Sequence, residues 1–293
     1  MAHAYIRVLG QLSVRVEDRP VPSFPTRSAS HLFAYLVLNG DRWTDRDVLR
    51  GTLWGERPES SARKALRSAL WRIRRTLRES GLDPDSWFRM DANRVRFVAE
   101  PATVRVDAHE FEDAAHKTTA ERGGTAECGL VLPQKTVDLL EEALLLYGGD
   151  LLPGVFAEWA FLERERLHLR RIAMLDALVD HYQAVNAWRT SLYHAQAILR
   201  ADPLREPAHR AVMRAYQELG DRPSAIRQHH RLTRILREEL AVEPMPETEG
   251  LYRRILGCES AEGRLPPSPP STSPPQPPQP HLPHPFPGRL PDR

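Results

Sequence analysis

The stretch SARKALRSALWRIRRTL, residues 61–77, carries the strongest pattern in the sequence. It contains six basic side chains and no acidic one, with Trp71 near its centre. On a helical wheel at about 100° per residue, extended to Arg78, the apolar residues form one stripe and the polar residues the opposite face. The stripe consists of Ala62, Ala65, Leu66, Ala69, Leu70, Ile73 and Leu77. The pattern predicts an amphipathic helix with a buried apolar side and a basic side that meets negative charge.

The basic face admits two interpretations. Arginine is the usual basic residue of this chain, since lysine occurs only at positions 64, 117 and 135, so an ordinary solvated surface is one of them. Such a surface normally mixes both signs, because Glu–Arg pairs at i,i+4 stabilise a helix and like charges there repel. Within residues 61–77 no acidic side chain offsets that repulsion. The pattern therefore favours a nucleic-acid-binding face.

The segments around this helix indicate a small mixed domain. Residues 4–24 alternate apolar and polar side chains, which predicts short antiparallel strands. The helix predicted next, over TRSASHLFAYLVLNG, ends at Asn39-Gly40. Thr44 is expected to cap the following helix, with Asp47 in a capping-box-like start. Two further strands are expected near residues 87–90 and 94–98. Strands, three helices and a hairpin are the order of a winged helix, whose third helix enters the DNA major groove.

The sequence after residue 105 predicts long helices, among them a run from Glu158 to Trp188. A shift of 34 residues superposes Tyr182 on Tyr216, Asn186 on Gly220, Ser191 on Ala225 and Ile198 on Leu232. Because 34 residues is the tetratricopeptide period, we expect an α-solenoid of stacked helix pairs. After residue 257 the periodicity is lost, and 13 of the 26 prolines fall between 266 and 291. That composition predicts a disordered tail with polyproline II bias.

Composition limits the classes of function. Residues 1–100 hold 18 basic and 12 acidic side chains, and the remainder 23 and 27, so a basic module precedes a mildly acidic one. Cys128 and Cys258 are far apart, so neither a disulfide framework nor a zinc site is expected. No metal ligand set, P-loop, dinucleotide fingerprint or esterase motif occurs, and we expect no enzyme activity and no cofactor. Without a membrane span or signal peptide, a cytoplasmic, nucleoid-associated protein is expected.

These motifs resemble the Streptomyces antibiotic regulatory proteins, in the short form without an ATPase module, over about residues 4–257. The likeness is carried by VLGQLSV, LFAYLVLNG, LWG at 53–55, SARKALRSALWRIRRTL, VDAHEFE, GGDLLPG, DPLREPAHRAVMRAYQELGDRPSAI and LREELAVEP. It implies a mostly α fold with a small β component. Residues 1–104 would form an OmpR-like winged helix-turn-helix, and residues 105–257 a tetratricopeptide-like bacterial transcriptional activation domain, followed by the tail 258–293. It also implies activation of specialised-metabolite (antibiotic) genes, binding to tandem direct repeats near promoters as a homodimer or side-by-side oligomer, and recruitment of RNA polymerase holoenzyme.

Specific roles follow for the basic helix. We expect Lys64 and Arg67 to contact guanine, and Ser68 and Trp71 to pack on base edges, thymine methyl groups or sugars. Trp71 has an alternative role, which is to cover the neighbouring loop. Phosphates are expected to be bound by Arg63, Arg72, Arg74, Arg75 and Arg78, assisted by Arg27, Thr44, Arg94 and Arg96 from the first two helices and the wing. The alternative function is a tetratricopeptide adaptor whose basic front domain binds acidic proteins.

Overall fold

The computed structural model describes residues 4–98, 103–122 and 131–257, without the side chains of 118–122. The strands in these ranges are β1 Ala4–Arg7, β2 Ser13–Val16, β3 Arg19–Pro20, β4 Thr44–Asp45, β5 Phe88–Met90, β6 Arg94–Phe97 and β7 Val104–Val106. The helices are α1 Arg27–Leu38, α2 Arg46–Trp54, α3 Glu59–Glu79, α4 Pro84–Trp87, α5 Asp107–Arg122, α6 Gln134–Leu146, α7 Glu158–Ala184, α8 Trp188–Ala201, α9 Glu206–Glu218, α10 Arg222–Leu240 and α11 Pro246–Leu256. The mostly helical fold with a small β component is confirmed. The Cys128 position, the glycines at 123–124 and the proline-rich segment lie outside the described residues.

The first sheet has the strand order β3-β2-β1-β7. β1 and β2 pair antiparallel with Ile6 opposite Val14, and both side chains are buried because alternate residues point to one face of a strand. The antiparallel strands predicted within residues 4–24 are therefore confirmed. β7 pairs parallel with β1 and is a strand that was not expected from the sequence.

The second sheet, in the order β4-β6-β5, forms the wing beside α1, α2 and α3. Phe33 of α1 anchors it, because its ring lies between 4.6 and 6.5 Å, centroid to centroid, from those of Phe24, Trp87, Phe88 and Phe97. This aromatic cluster fixes the hairpin of β5 and β6 against the helices. The hairpin turn is thereby held near the start of α2 and the exposed side of α3.

The prediction that Thr44 caps α2 is wrong. Thr44 lies in β4, opposite Val95 of β6, and the strand pairing holds residues 44–45 extended. The helix consequently begins at Arg46 with Asp45 at its N-cap, and no side-chain oxygen forms a capping hydrogen bond there. Thr44 is 9% exposed, so its hydroxyl is largely shielded from solvent.

The second half consists of antiparallel helix pairs, and the 34-residue repeat is confirmed. Asn186 and Gly220, superposed by that shift, both have positive φ, at 58° and 78°, so the turns after α7 and α9 share one left-handed position. Ser191 and Ala225 are both fully buried at equivalent places in the following helices. The predicted run to Trp188 is wrong in its end point, because the turn at Asn186 stops α7 and Trp188 begins α8.

The two halves share one apolar core. Asp107 at the start of α5 is fully buried, and its carboxylate accepts backbone hydrogen bonds from Val8 and Leu9, which directly follow β1. Burial raises the pKa of the Asp107 carboxyl above its usual value, while the N–H donors act in the opposite direction. Arg164 of α7 donates to the carbonyls of Leu151 and Leu152, both at 2.7 Å, and this segment bridges to Leu9. The winged helix and the first helices of the second half therefore pack as one unit.

We expect acid to destabilise this core through its buried histidines. Burial lowers the pKa of His181, His194 and His209 below the usual value. The Nδ1 atom of His181 accepts the Leu132 N–H at 3.1 Å, a bond that the protonated ring cannot form. Because the unfolded chain binds these protons more readily, the stabilisation is complete above about pH 6.5 and is lost as the pH falls towards the folded-state pKa values. Urea denaturation between pH 7.5 and 5 measures this.

The control variant for this prediction is His209→Gln. His209 bonds to the Pro203 carbonyl and to the Gln228 amide, which a glutamine side chain can partly replace without titrating. We expect the variant to show a shallower loss of unfolding free energy on acidification. Identical pH profiles for the wild-type protein and the variant would contradict the role given to His209.

Candidate nucleic-acid interface

The apolar stripe of α3 is buried as the sequence predicts. Ala62, Leu66, Ala69, Leu70, Ile73 and Leu77 are all 7% exposed or less, and Ala65 is half-buried. α3 packs through this stripe against α1 and α2. Because residues three or four apart share a side of a helix, its opposite side projects away from the core.

The residues proposed to contact bases lie on that outer side. Lys64, Arg67 and Trp71 are exposed, and Ser68 is half-buried and accepts a hydrogen bond from Arg72. The Trp71 side chain is 58% exposed, and the Arg75 guanidinium lies 5.3 Å from its ring centroid. That exposure does not support the alternative that Trp71 covers a loop. The four residues form one continuous surface along α3.

Several arginines of α3 are already paired with carboxylates. Glu59 lies 2.6 Å from Arg63 and Glu79 lies 2.7 Å from Arg75, each four residues apart on the helix. Arg74 donates two hydrogen bonds to Asp85, at 2.8 and 2.9 Å, and holds the pKa of that carboxyl below its usual value. The expectation that the charge repulsion is uncompensated is therefore wrong, because Glu59 and Glu79 lie on α3 beyond residues 61–77 and Asp85 lies on α4.

The remaining cations of α3 have no such partner. Across the described residues, four cations of α3 lie within ion-pair distance of no carboxylate, namely Lys64, Arg67, Arg72 and Arg78. Arg72 donates to the Ser68 hydroxyl instead. Lys64 and Arg67 belong to the first half of the helix and Arg78 to its last turn. These side chains can bind an external anion without first breaking an ion pair within the protein.

A cleft of about 490 Å³ joins α3 to α2 and to the wing turn. Its lining residues are Arg46, Asp47, Arg50, Glu59, Arg63, Leu66, Arg67, Ala92 and Asn93. Arg46 and Arg50 are not among the residues expected at the site from the sequence. Their i,i+4 spacing at the start of α2 was the available signal, since it puts both on one side of that helix. Four arginines against two carboxylates make the cleft basic.

The wing carries Arg94 and Arg96, two of the residues predicted to bind DNA phosphates. Asp91 shapes the turn by accepting the Asn93 and Arg94 N–H groups, and these bonds hold the pKa of its carboxyl below the usual value. Arg94 pairs with Asp91 at 3.0 Å. Arg96 pairs with Asp41 at 3.1 Å, on the loop that leads into β4.

Two other residues predicted to bind DNA phosphates, Arg27 and Thr44, lie away from this surface. Arg27 stands at the first position of α1 and lines a different cleft together with Leu152 and Pro153 of the second half. Thr44 is buried under the strand pairing described above. We therefore omit both from the candidate interface, which consists of the outer side of α3, Arg46 and Arg50 of α2, and Arg94 and Arg96 of the wing.

Two features of other functional classes are absent from the described residues. In the described part of the chain, no three His, Cys, Asp or Glu side chains are arranged to hold a metal ion. Among the same residues, no helix has the length and apolarity needed to cross a membrane.

Comparison with known proteins supports a regulatory family. Residues 106–256, just over half of the chain, match the bacterial transcriptional activator domain. The regulatory protein AfsR of Streptomyces coelicolor is 30% identical over 234 residues, which are 80% of this chain and 22% of that protein. The regulatory protein DnrI of Streptomyces peucetius is 24% identical over 257 residues, covering 86% of this chain and 91% of its own.

The fold itself has a solved counterpart. The structure of Mycobacterium tuberculosis EmbR in complex with a low affinity phosphopeptide superposes with a TM-score of 0.70 at 23% identity, over 88% of this chain and 66% of that one. At this identity the likeness concerns the fold, a winged helix followed by a tetratricopeptide-like domain. Taken with the domain match and the related regulators, it leads to one conclusion: the chain belongs to the Streptomyces antibiotic regulatory protein family of transcriptional regulators.

Proposed function

We propose that the protein is a sequence-specific DNA-binding transcriptional activator that inserts α3 into the major groove. The observation that carries this proposal is the exposure of Lys64, Arg67 and Trp71 on one side of α3, next to the basic cleft at the wing turn. An α-helix fits the major groove, and a wing beside it reaches the backbone. Cationic side chains on three neighbouring elements match the repeating negative charge of a duplex.

The proposed contacts divide into two classes. Arg67 and Lys64 donate to guanine O6 and N7, and Ser68 and Trp71 pack on base edges, thymine methyl groups or sugars. Phosphates are bound by Arg63, Arg72, Arg74, Arg75 and Arg78 of α3, Arg46 and Arg50 of α2, and Arg94 and Arg96 of the wing. Base contacts select the sequence, whereas phosphate contacts set the overall affinity and its dependence on salt.

The partners extend this proposal. A single wing domain buries roughly 600–1,000 Å², which is little for specific binding, so two copies are expected side by side on tandem direct repeats. The boundary after residue 104 separates this DNA-binding part from a second domain, residues 105–257, that recruits RNA polymerase holoenzyme. Kinship with the antibiotic regulators favours genes of specialised metabolism as targets and the nucleoid as the place of action. The same kinship, with relatives that are regulators, argues against an enzyme.

The direct test maps the DNA sites bound by the full chain across the genome of its source. We expect a shared motif, repeated in tandem upstream of promoters. Gel shifts with such a site, at several salt concentrations and against unrelated competitor DNA, then measure specificity. Binding without sequence preference would refute the proposal and favour an adaptor whose basic surface attaches to acidic proteins.

One carboxylate should restrain DNA binding. Glu59 lies 2.6 Å from Arg63 and 4.0 Å from Arg50, so it occupies the place between two guanidinium groups that a phosphate would take. Replacing Glu59 by Gln is expected to tighten binding to DNA of any sequence and to steepen the log–log salt dependence by up to about 0.9, the value of one further phosphate contact. Fluorescence anisotropy at several salt concentrations measures both quantities.

The matched control is Glu239→Gln, which makes the same charge change on an exposed position of α10. We expect this control to leave affinity and salt slope close to those of the wild-type protein. Equal effects of the two substitutions would show that net charge alone matters, and would remove the specific role from Glu59.

A further inference from the structure

The wing presents its two arginines on one side because of strand alternation. β4 and β6 pair antiparallel, with Thr44 opposite Val95 and Asp45 opposite Arg94. Val95 is fully buried, so its neighbours Arg94 and Arg96 share the opposite, solvent-facing side of the sheet. One step further along the same register places Trp43 opposite Arg96.

Trp43 contacts both of these arginines. The guanidinium carbons of Arg94 and Arg96 lie 5.0 and 4.8 Å from its ring centroid, within the range of cation–π attraction. The Trp43 side chain is itself 39% exposed, so solvent covers part of the indole. A large apolar ring at the edge of a sheet is used here to hold two charged groups together.

Each arginine is also fixed from a second direction. Asp91 holds Arg94 at the turn, and Asp41 holds Arg96 from the loop before β4. The two side chains nonetheless remain 49% and 30% exposed, so their charges are accessible. Long exposed arginines normally lose side-chain freedom on binding, and a surface that orders them in advance avoids part of that cost.

We propose that Trp43 is a positioning residue for DNA backbone binding, which holds the guanidinium groups of Arg94 and Arg96 ready to meet phosphates beside the groove. The inference rests on the proposed function and names a residue that acts through the wing arginines. Because phosphates are the same in every sequence, Trp43 affects the affinity for all DNA and leaves operator preference unchanged.

The test uses the full chain and a double-mutant cycle. Trp43→Leu keeps apolar bulk and removes the π face, and Trp43→Phe restores a smaller one. We expect Trp43→Leu to weaken binding to operator and to unrelated DNA alike, by about 3- to 10-fold, and Trp43→Phe to recover most of the loss. In a background with Arg94→Ala and Arg96→Ala, the Leu substitution should change affinity less than about 1.5-fold, since its effect passes through those arginines.

Three results would overturn the inference while leaving DNA binding intact. These are wild-type affinity in Trp43→Leu, the same fold loss in the background without both arginines, and a changed operator preference. The second result would indicate a merely structural role for Trp43. A thermal melt of each variant measures any loss of stability separately. Absence of any DNA binding by the unchanged protein would instead overturn the proposed function, and this inference with it.

Discussion

Replacing Asp107 by alanine is expected to destabilise the entire chain. The buried carboxylate accepts the backbone N–H groups of Val8 and Leu9 at 2.9 Å each, and that of Ala108 at 2.7 Å. Alanine leaves the first two donors buried without an acceptor, at about 1–3 kcal/mol for each. We therefore expect the free energy of unfolding to fall by roughly 2–6 kcal/mol, measured by urea denaturation followed by circular dichroism.

Two comparisons isolate the cause. Asp107→Asn keeps one acceptor oxygen in place and should cost less than the alanine substitution. Glu218→Ala removes an exposed carboxylate at the end of α9 and should leave the urea midpoint nearly unchanged. An unaltered midpoint in Asp107→Ala would mean that these hydrogen bonds contribute no net stability.

This expectation bears on the relation between the two halves. Asp107 follows β7, which completes the first sheet. The rings of Tyr35 in α1 and Trp159 in α7 meet edge to face, with their centroids 5.3 Å apart. The boundary that we propose after residue 104 thus divides the chain by function more than by packing. A winged helix held in this way is packed directly against the helices behind it.

The sequence was sufficient for features that depend on local periodicity. The stripe on α3 is buried because its period matches the α-helix, whatever lies against it. The equivalence of Asn186 and Gly220 was also visible, since a left-handed position admits few residue types and recurs with the repeat. Such signals are contained within one element or one repeat.

Features that depend on tertiary placement were missed. Arg74 and Asp85 are 11 positions apart on different helices, and only the packing of α4 brings them together. β7 is three residues long, and the alternation of its buried valines with the exposed Arg105 is too short to distinguish a strand from a loop. Thr44 is a residue type that favours helix N-caps, but its strand pairing with Val95 outweighs that local preference.

Replacing Arg67 by alanine is expected to have the largest effect on sequence preference. Arg67 is exposed on the first half of α3, lines the cleft at the wing turn, and has no carboxylate within ion-pair distance in the described ranges. Loss of a guanine contact should cost about 1–3 kcal/mol in binding free energy and relax the preference at one base pair. Anisotropy titrations against a panel of single-base operator variants measure both effects.

Arg75→Ala is the matched control, because it removes the same kind of side chain from the same face. Arg75 is paired with Glu79 and lies over Trp71, so we assign it to phosphate binding. Its loss should weaken all sequences alike and reduce the salt slope by about one. We therefore expect Arg67→Ala to change the sequence preference and Arg75→Ala to change the affinity for all sequences. If Arg67→Ala also weakened every operator variant by one factor, Arg67 would be a phosphate contact, and the reading of bases would fall to Lys64, Ser68 and Trp71.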